Sequence, residues 1–338
     1  MSEDPHSSSP ARLSRRAIAF GLGYLALAIG AGLILISLQP SPGTASLSPV
    51  EGAAALPKQK VPQETARTLR PSPQDAGADR SRIVSDGCMV GIEGTRSSRC
   101  LYGDHHGGWT LVLYGDSHAM QYFPPLQALA RKHHWRLIVL NKRECTPGEV
   151  GIRGESGSEY STCDAWHRTE MRRITGLGRR TTVVISGDSA YTAYGSNGHA
   201  LRGRANADAM EAGYLATLRK IHRAGLGAIV IRDMPAAPRD IPNCVAKNRD
   251  HLRACAFRWV HNANREFDVR AARAAPGSHL IDLTPEVCPD DLCRAVIGNA
   301  LVYRDKQHLS ATFARTLSPW IATGLREAGV PSGGHSGR

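Results

Sequence analysis

Five short runs of apolar and β-branched residues recur along the chain, with segments of helical spacing between them. The runs are Thr110–Tyr114, Leu137–Leu140, Thr181–Ser186, Ala228–Arg232 and His279–Leu283. Each is short enough to be a strand buried on both faces. Pro124–His134 places Leu126, Leu129 and Ala130 at helical spacing, and Ala207–Ala224 does the same with Met210, Tyr214, Leu218 and Ile221. A final helical pattern, Ser310–Ala328, carries Phe313, Leu317, Trp320, Ile321 and Leu325. Strands alternating with helices predict a three-layer α/β fold, a central parallel sheet flanked by helices, with sites at the carboxyl ends of the strands. At 338 residues and 41% hydrophobic composition, the chain can bury such a core and still carry segments outside it.

The N-terminal part does not join this pattern. Residues 17–38 form an uncharged, mostly apolar run preceded by Arg12, Arg15 and Arg16. As a helix it would span roughly 33 Å, enough to cross a bilayer. Basic residues stay on the cytoplasmic side, so residues 1–16 are expected inside, 17–38 as one transmembrane signal anchor, and everything after it outside the cytoplasm. A cleaved signal peptide is the competing reading, and it too exports the remainder of the chain. Residues 39–80 are rich in Pro, Ser, Ala and Gln and read as a disordered linker, 81–330 as the folded domain, and 331–338 as a disordered tail.

All eight cysteines lie beyond the apolar run, an even number that favours disulfides in an oxidising compartment. They fall into four local couples: Cys88 with Cys100, Cys145 with Cys163, Cys244 with Cys255, and Cys288 with Cys293. No Cys-x-x-Cys or His-x-x-x-His spacing supports zinc, and neither a metal nor another cofactor is expected. The formal charge of +12 suits an anionic envelope surface or acidic polymer. The arginines are scattered and no nucleic-acid-binding module accompanies them, so a nucleic-acid partner is not expected.

Two short motifs carry chemistry. The first strand runs into Gly115-Asp116-Ser117-His118, and a late segment reads Asp305-Lys306-Gln307-His308. A strand ending in a Gly-Asp turn can present a serine hydroxyl at the rim of a parallel sheet. A serine is a poor nucleophile unless a base takes its proton, and Asp305 and His308 can supply an oriented base. Gly187-Asp188-Ser189 repeats the tripeptide after another strand, but lacks the following histidine, so Ser117 is the preferred nucleophile.

Val112-Leu113-Tyr114-Gly115-Asp116-Ser117-His118-Ala119 and Tyr303-Arg304-Asp305-Lys306-Gln307-His308-Leu309-Ser310 together resemble the SGNH hydrolase family. More narrowly, they resemble the extracytoplasmic SGNH domain associated with acyltransferase-3 membrane proteins. The Cys100-Leu101-Tyr102-Gly103-Asp104, Glu144-Cys145-Thr146-Pro147 and Asp240-Ile241-Pro242-Asn243-Cys244 segments agree with that subgroup. The resemblance implies Ser117 as nucleophile, His308 as base and later acid, Asp305 as the group orienting it, and the Ser117 N–H as an oxyanion donor. It also implies a glycine after the second strand and Gly-x-Asn-Asp after the third, whereas this chain has Asn141-Lys142-Arg143 and Gly187-Asp188-Ser189. Gly187 and Asn141 are therefore the candidate further oxyanion donors. Asp188 is a turn residue or hydroxyl acceptor, since a carboxylate cannot donate, and His118 is a candidate pocket residue.

The expected function is extracytoplasmic O-acyl, chiefly O-acetyl, transfer to a cell-envelope carbohydrate or glycolipid through an acyl-Ser117 intermediate. A separate multi-spanning acyltransferase membrane protein would be the acyl donor, because this chain has one candidate span. The alternatives are a carbohydrate O-acetylesterase of the same mechanism and a non-catalytic glycan-binding or scaffolding domain.

Overall fold

Every side chain from Thr110 to Gly115 is buried, and successive residues leave for opposite sides of the sheet. Leu111 and Leu113 join one apolar cluster, Val112 and Tyr114 another. The computed structural model describes residues 49–66, 68–195 and 197–332. The expected membrane span at 17–38 and the tail before it lie outside these residues, as do 39–48 and 333–338. Among the described residues no helix is long and apolar enough to cross a membrane.

The first eight strands are β1 Met89–Val90, β2 Leu101–Gly103, β3 Thr110–Gly115, β4 Arg136–Lys142, β5 Thr181–Ser186, β6 Gly227–Ile231, β7 Phe257–Arg258 and β8 Ser278–Ile281, and three two-residue strands follow. The helices are α1 Ser117–Met120, α2 Phe123–Lys132, α3 Ser161–Thr175, α4 Gly203–Arg223, α5 Ile241–Lys247, α6 Phe267–Ala274, α7 Ala311–Thr316 and α8 Ser318–Glu327. One seven-stranded sheet runs β1-β4-β3-β5-β6-β8, all neighbours parallel, and β2 adds an antiparallel edge along β4. Its five main strands thus stand in the order 2-1-3-4-5 of their appearance. The switch point lies between β3 and β5, where open α/β sheets place ligands outside the carboxyl ends.

The two clusters are the two outer seams of a three-layer sandwich. One face of the sheet packs with Phe123, Leu126 and Leu129 of α2 and with Phe313, Ile321 and Leu325 of α7 and α8. The other packs with Cys163, Trp166 and Ile174 of α3, Met210, Tyr214 and Leu218 of α4, and Phe267 of α6. Helix α3 leaves little trace in the sequence pattern because its arginines interrupt the apolar spacing. The single helix expected over 310–328 is two, joined at Leu317, because Pro319 has no N–H to continue the ladder and sits in the first turn of α8.

All four expected disulfides are formed. The expected disordered linker is corrected over its described part, residues 49–66 and 68–80. There Ala53 and Ala76 are fully buried in the core, and Arg70 bridges Ala300. Asp79 accepts from Ala311 N (backbone, 2.9 Å) and Thr312 N (side chain, 2.9 Å), satisfying two free donors at the start of α7. Proline-rich composition signals the absence of regular structure, and here irregular backbone packs on the domain through isolated small residues.

Candidate active site

At the end of β3 the backbone passes between neighbouring strands too closely for a side chain. A Cβ on Gly115 (φ +147°) would lie 1.9 Å from the Ser186 carbonyl oxygen of β5, so the strand can end this way only with glycine. Asp116 follows, fully buried. Its Oδ1 accepts from His118 N (2.7 Å), capping the turn that starts α1. Its Oδ2 accepts from Asp188 N (2.9 Å) and from the Tyr191 hydroxyl (2.6 Å), which ties the end of β3 to the end of β5. Burial raises the Asp116 carboxyl to about 6, against the opposing charge of His118 and the Tyr191 bond.

Ser117 is the first residue of α1 and is half-buried. Its Oγ lies 2.8 Å from His308 Nε2. His308 Nδ1 in turn lies 2.8 Å from Asp305 Oδ2 and 3.1 Å from Oδ1. The late segment is a tight turn closed by Arg304 N to the His308 carbonyl (2.9 Å) and by a Tyr303–Leu309 bridge. Asp305 Oδ1 accepts from Gln307 N (2.7 Å) and His308 N (2.8 Å), so the same carboxylate shapes the turn and faces the imidazole. Arg304 Nη1 reaches Asp305 Oδ2 at 3.2 Å. Gln121 holds the two halves together, its Oε1 accepting from Leu309 N at 2.9 Å. Nothing in the sequence pattern singles out Gln121, because its role depends on a residue 188 positions away.

Burial lowers the His308 imidazole below its ordinary 6.5; the Asp305 hydrogen bond opposes this and the charge of His118 adds to it. Despite the cost of burial, Asp305 is held well below the usual carboxylate range by the hydrogen bond and charge of His308. The group is thus a neutral base between a serine hydroxyl and an ionised carboxylate.

The candidate oxyanion residues fall into two kinds. Gly187 is buried at the carboxyl end of β5, packed so tightly that a Cβ would lie 2.4 Å from Pro147 Cδ. Asn141 Nδ2, by contrast, donates to the Asp116 carbonyl at 3.3 Å. One of its two N–H groups thus braces the serine turn, and the other has no partner among the described residues. Lys142 beside it is fully buried and donates to the carbonyls of Gly91 (2.8 Å), Ile92 (2.5 Å) and Gly94 (2.7 Å). Asp188 Oδ1 accepts from Ala190 N (2.8 Å), as a turn residue does. Ser189 N donates to Asp233 (2.8 Å), and among the described residues no histidine nitrogen bonds its hydroxyl.

His118 is the surprise of the site. It is buried, its ring meets that of His308 edge to face at 4.9 Å, and its Nδ1 lies 2.6 Å from Asp233 Oδ1. Its Nε2 is 4.0 Å from Asp188 Oδ2. Burial alone would lower its pKa, but the carboxylates of Asp233 and Asp188 overcome this and raise it to about 10. His118 is therefore a cation next to the neutral His308. His118, Asp188 and Asp233 also lie close enough together to ligate a metal, and in this arrangement His118 Nδ1 is bonded to Asp233. The Cys145, Cys163 and His167 cluster is excluded because its two sulfurs form a disulfide. Asp233 was not a sequence candidate. The available signal was an acidic residue just beyond the apolar run of β6, at the carboxyl edge where such sheets build sites.

A model of the family described as "SGNH domain (fused to AT3 domains)" matches residues 87–323. No curated protein matches the chain at a significant level. Among solved structures, the periplasmic domain of the lipopolysaccharide acetyltransferase of Salmonella ser. Paratyphi A is similar, with 16% identity and a TM-score of 0.49 over 72% of this chain and 87% of that one. An SGNH hydrolase candidate from Slackia heliotrinireducens aligns with 14% identity and a TM-score of 0.40, over 64% of this chain and 98% of that one.

Proposed function

The chain belongs to the family of SGNH domains fused to AT3 domains, and from that premise we propose that it is an extracytoplasmic serine-dependent O-acyltransferase acting on cell-envelope carbohydrate or glycolipid. The observation that carries the proposal is the 2.8 Å contact of Ser117 Oγ with His308 Nε2, backed by Asp305.

In the first half-reaction Ser117 Oγ attacks the acyl carbonyl carbon while its proton passes to His308 Nε2. The Asp305 carboxylate stabilises the imidazolium that forms. The negative charge on the acyl oxygen is met by backbone N–H groups at Ser117 and Gly187, and each such donor contributes roughly 3–4 kcal/mol in comparable enzymes. When the tetrahedral adduct collapses, His308 returns the proton to the departing donor oxygen and acyl-Ser117 remains. An acceptor hydroxyl then gives its proton to His308 and attacks the acyl carbon, and the proton returns to Ser117 Oγ. Atoms balance, and the net change is movement of the acyl group from one oxygen to another. With water as acceptor the same steps hydrolyse the ester.

Four disulfides support residence in an oxidising compartment outside the cytoplasm. The family's association with AT3 domains supports a multi-spanning acyltransferase membrane protein as partner and acyl source. Residues 17–38 would anchor the domain beside it. The test is to treat the protein with a serine-reactive phosphonate and locate the adduct by mass spectrometry. Modification of Ser117, absent in His308→Ala, is the expected result. Absence of any Ser117 adduct, or modification at Ser189 instead, would refute the proposal.

A further inference from the structure

Beside the triad opens a cavity of about 260 Å³, bounded by His118, the residue after Ser117, and Gln307, the residue before His308. That volume is below the roughly 300 Å³ at which drug-sized sites begin, so it suits one compact group such as a single sugar ring. The wall near the serine is His118 and Asp188. They lie 4.0 Å apart, outside hydrogen-bond range, and His118 Nε2 has no other hydrogen-bond partner among the described residues. A carboxylate that accepts and an imidazole N–H that donates are a pair suited to vicinal hydroxyls.

The far wall is formed by the segment 257–266. Its Trp259 is already engaged, by the Arg232 guanidinium 4.5 Å from its ring and by the His261 ring at 4.0 Å. It is not a free stacking platform, so recognition falls to charge. Most charges around the cavity neutralise one another. Arg232 pairs with Glu266 (2.7 Å) and Asp282 (2.8 Å), Asp233 pairs with His118, and buried Asp268, raised to about 7, accepts from two backbone N–H groups. Arg258 and Arg265 also line the cavity, and neither side chain has a hydrogen bond or ion pair among the described residues. Two uncommitted guanidinium groups match the oxygens of a carboxylate or phosphate.

We propose that this cavity is the acceptor subsite and that it takes an anionic sugar, its hydroxyls on the His118–Asp188 wall and its carboxylate or phosphate on Arg258 and Arg265. The inference rests on the acyl-transfer reading and narrows the acceptor to acidic or phosphorylated envelope glycan.

The test titrates glucuronate, glucose 6-phosphate and glucose into the full-length Ser117→Ala protein by calorimetry, which reads binding without turnover. At least one anionic sugar should bind about tenfold more tightly than glucose at low salt, with the preference shrinking as ionic strength rises. The tighter of the two identifies the carboxylate or the phosphate as the recognised group. The combined Arg258→Ala and Arg265→Ala change should abolish the preference. Equal affinity for all three sugars, or a preference that survives the double change, overturns the inference. Phosphonate labelling of Ser117 in the parent protein, set beside the sugar titrations, separates the two readings. Labelling without charge-selective binding sinks only the anionic subsite, whereas selective binding without labelling of the parent protein sinks only the acyl-enzyme.

Discussion

Replacing Asp305 with asparagine changes one oxygen for one nitrogen, and the structure dictates where that nitrogen goes. Asp305 Oδ1 accepts from two backbone N–H groups, Gln307 at 2.7 Å and His308 at 2.8 Å. Only the carbonyl oxygen of an asparagine can take that place. Its amide NH₂ must then occupy the Oδ2 position, 2.8 Å from His308 Nδ1. It would donate to Nδ1 and force the imidazole proton onto Nε2, the nitrogen 2.8 Å from Ser117 Oγ. A protonated Nε2 cannot accept the serine proton, and the negative charge that stabilises the imidazolium is lost as well. Serine triads altered in this way lose about 10⁴-fold in rate, equivalent to about 5.4 kcal/mol at roughly 1.36 kcal/mol per decade. The assay is the second-order rate constant for phosphonate labelling of Ser117, with the denaturant midpoint recorded alongside to show that the turn survives. A loss of less than about tenfold with the fold intact would refute the tautomer argument.

The same geometry fixes four further outcomes. Ser117→Ala and His308→Ala should each remove acylation to a similar extent, and the double variant should be no worse, because the two act as a unit; Ser189→Ala should retain the activity, and its loss in a turnover assay would move the nucleophile. Because His308 is held below 6.5, the rate of Ser117 labelling should still exceed half its maximum at pH 6.5 and fall only at lower pH; in His118→Gln the cationic neighbour is gone and that acidic limb should move to higher pH, while an unmoved limb would rule out the coupling. Gly115→Ala combines a left-handed φ with an overlap on the Ser186 carbonyl and should cost at least about 3 kcal/mol by denaturant unfolding. Asp79→Ala removes a side-chain acceptor at the start of α7 and should cost about 1 kcal/mol, whereas an unchanged midpoint would mean that the Asp79 carboxylate does not cap that helix.

Much of this protein was readable because its signals are local. A buried parallel strand shows as a short apolar run whatever surrounds it, and the five runs all became strands of one sheet. The cysteine couples lie at most 18 residues apart in sequence, so proximity along the chain was a fair guide to proximity in space. Ser117 was legible from its strand–turn setting, and Asp305 and His308 from their spacing on one turn. Residues 49–80 misled because composition reports on regular structure and says little about irregular backbone that packs through single small residues such as Ala53 and Ala76.

By itself, then, the sequence determined the layer architecture, the disulfide framework and which serine, histidine and aspartate the fold brings together, since each arises from periodicity, short loops or a compact motif. Only the tertiary structure decided the strand order that puts the serine at the switch point, the pairing of His118 with Asp233 across 115 residues, and the hydrogen bond from the Asn141 amide to the Asp116 carbonyl. It also decided which arginines at the neighbouring cavity are neutralised and which remain uncommitted. The physical reason is common to all of these. Charge and hydrogen-bond pairing depend on distances of a few ångströms between residues far apart along the chain, and no local pattern encodes such a distance.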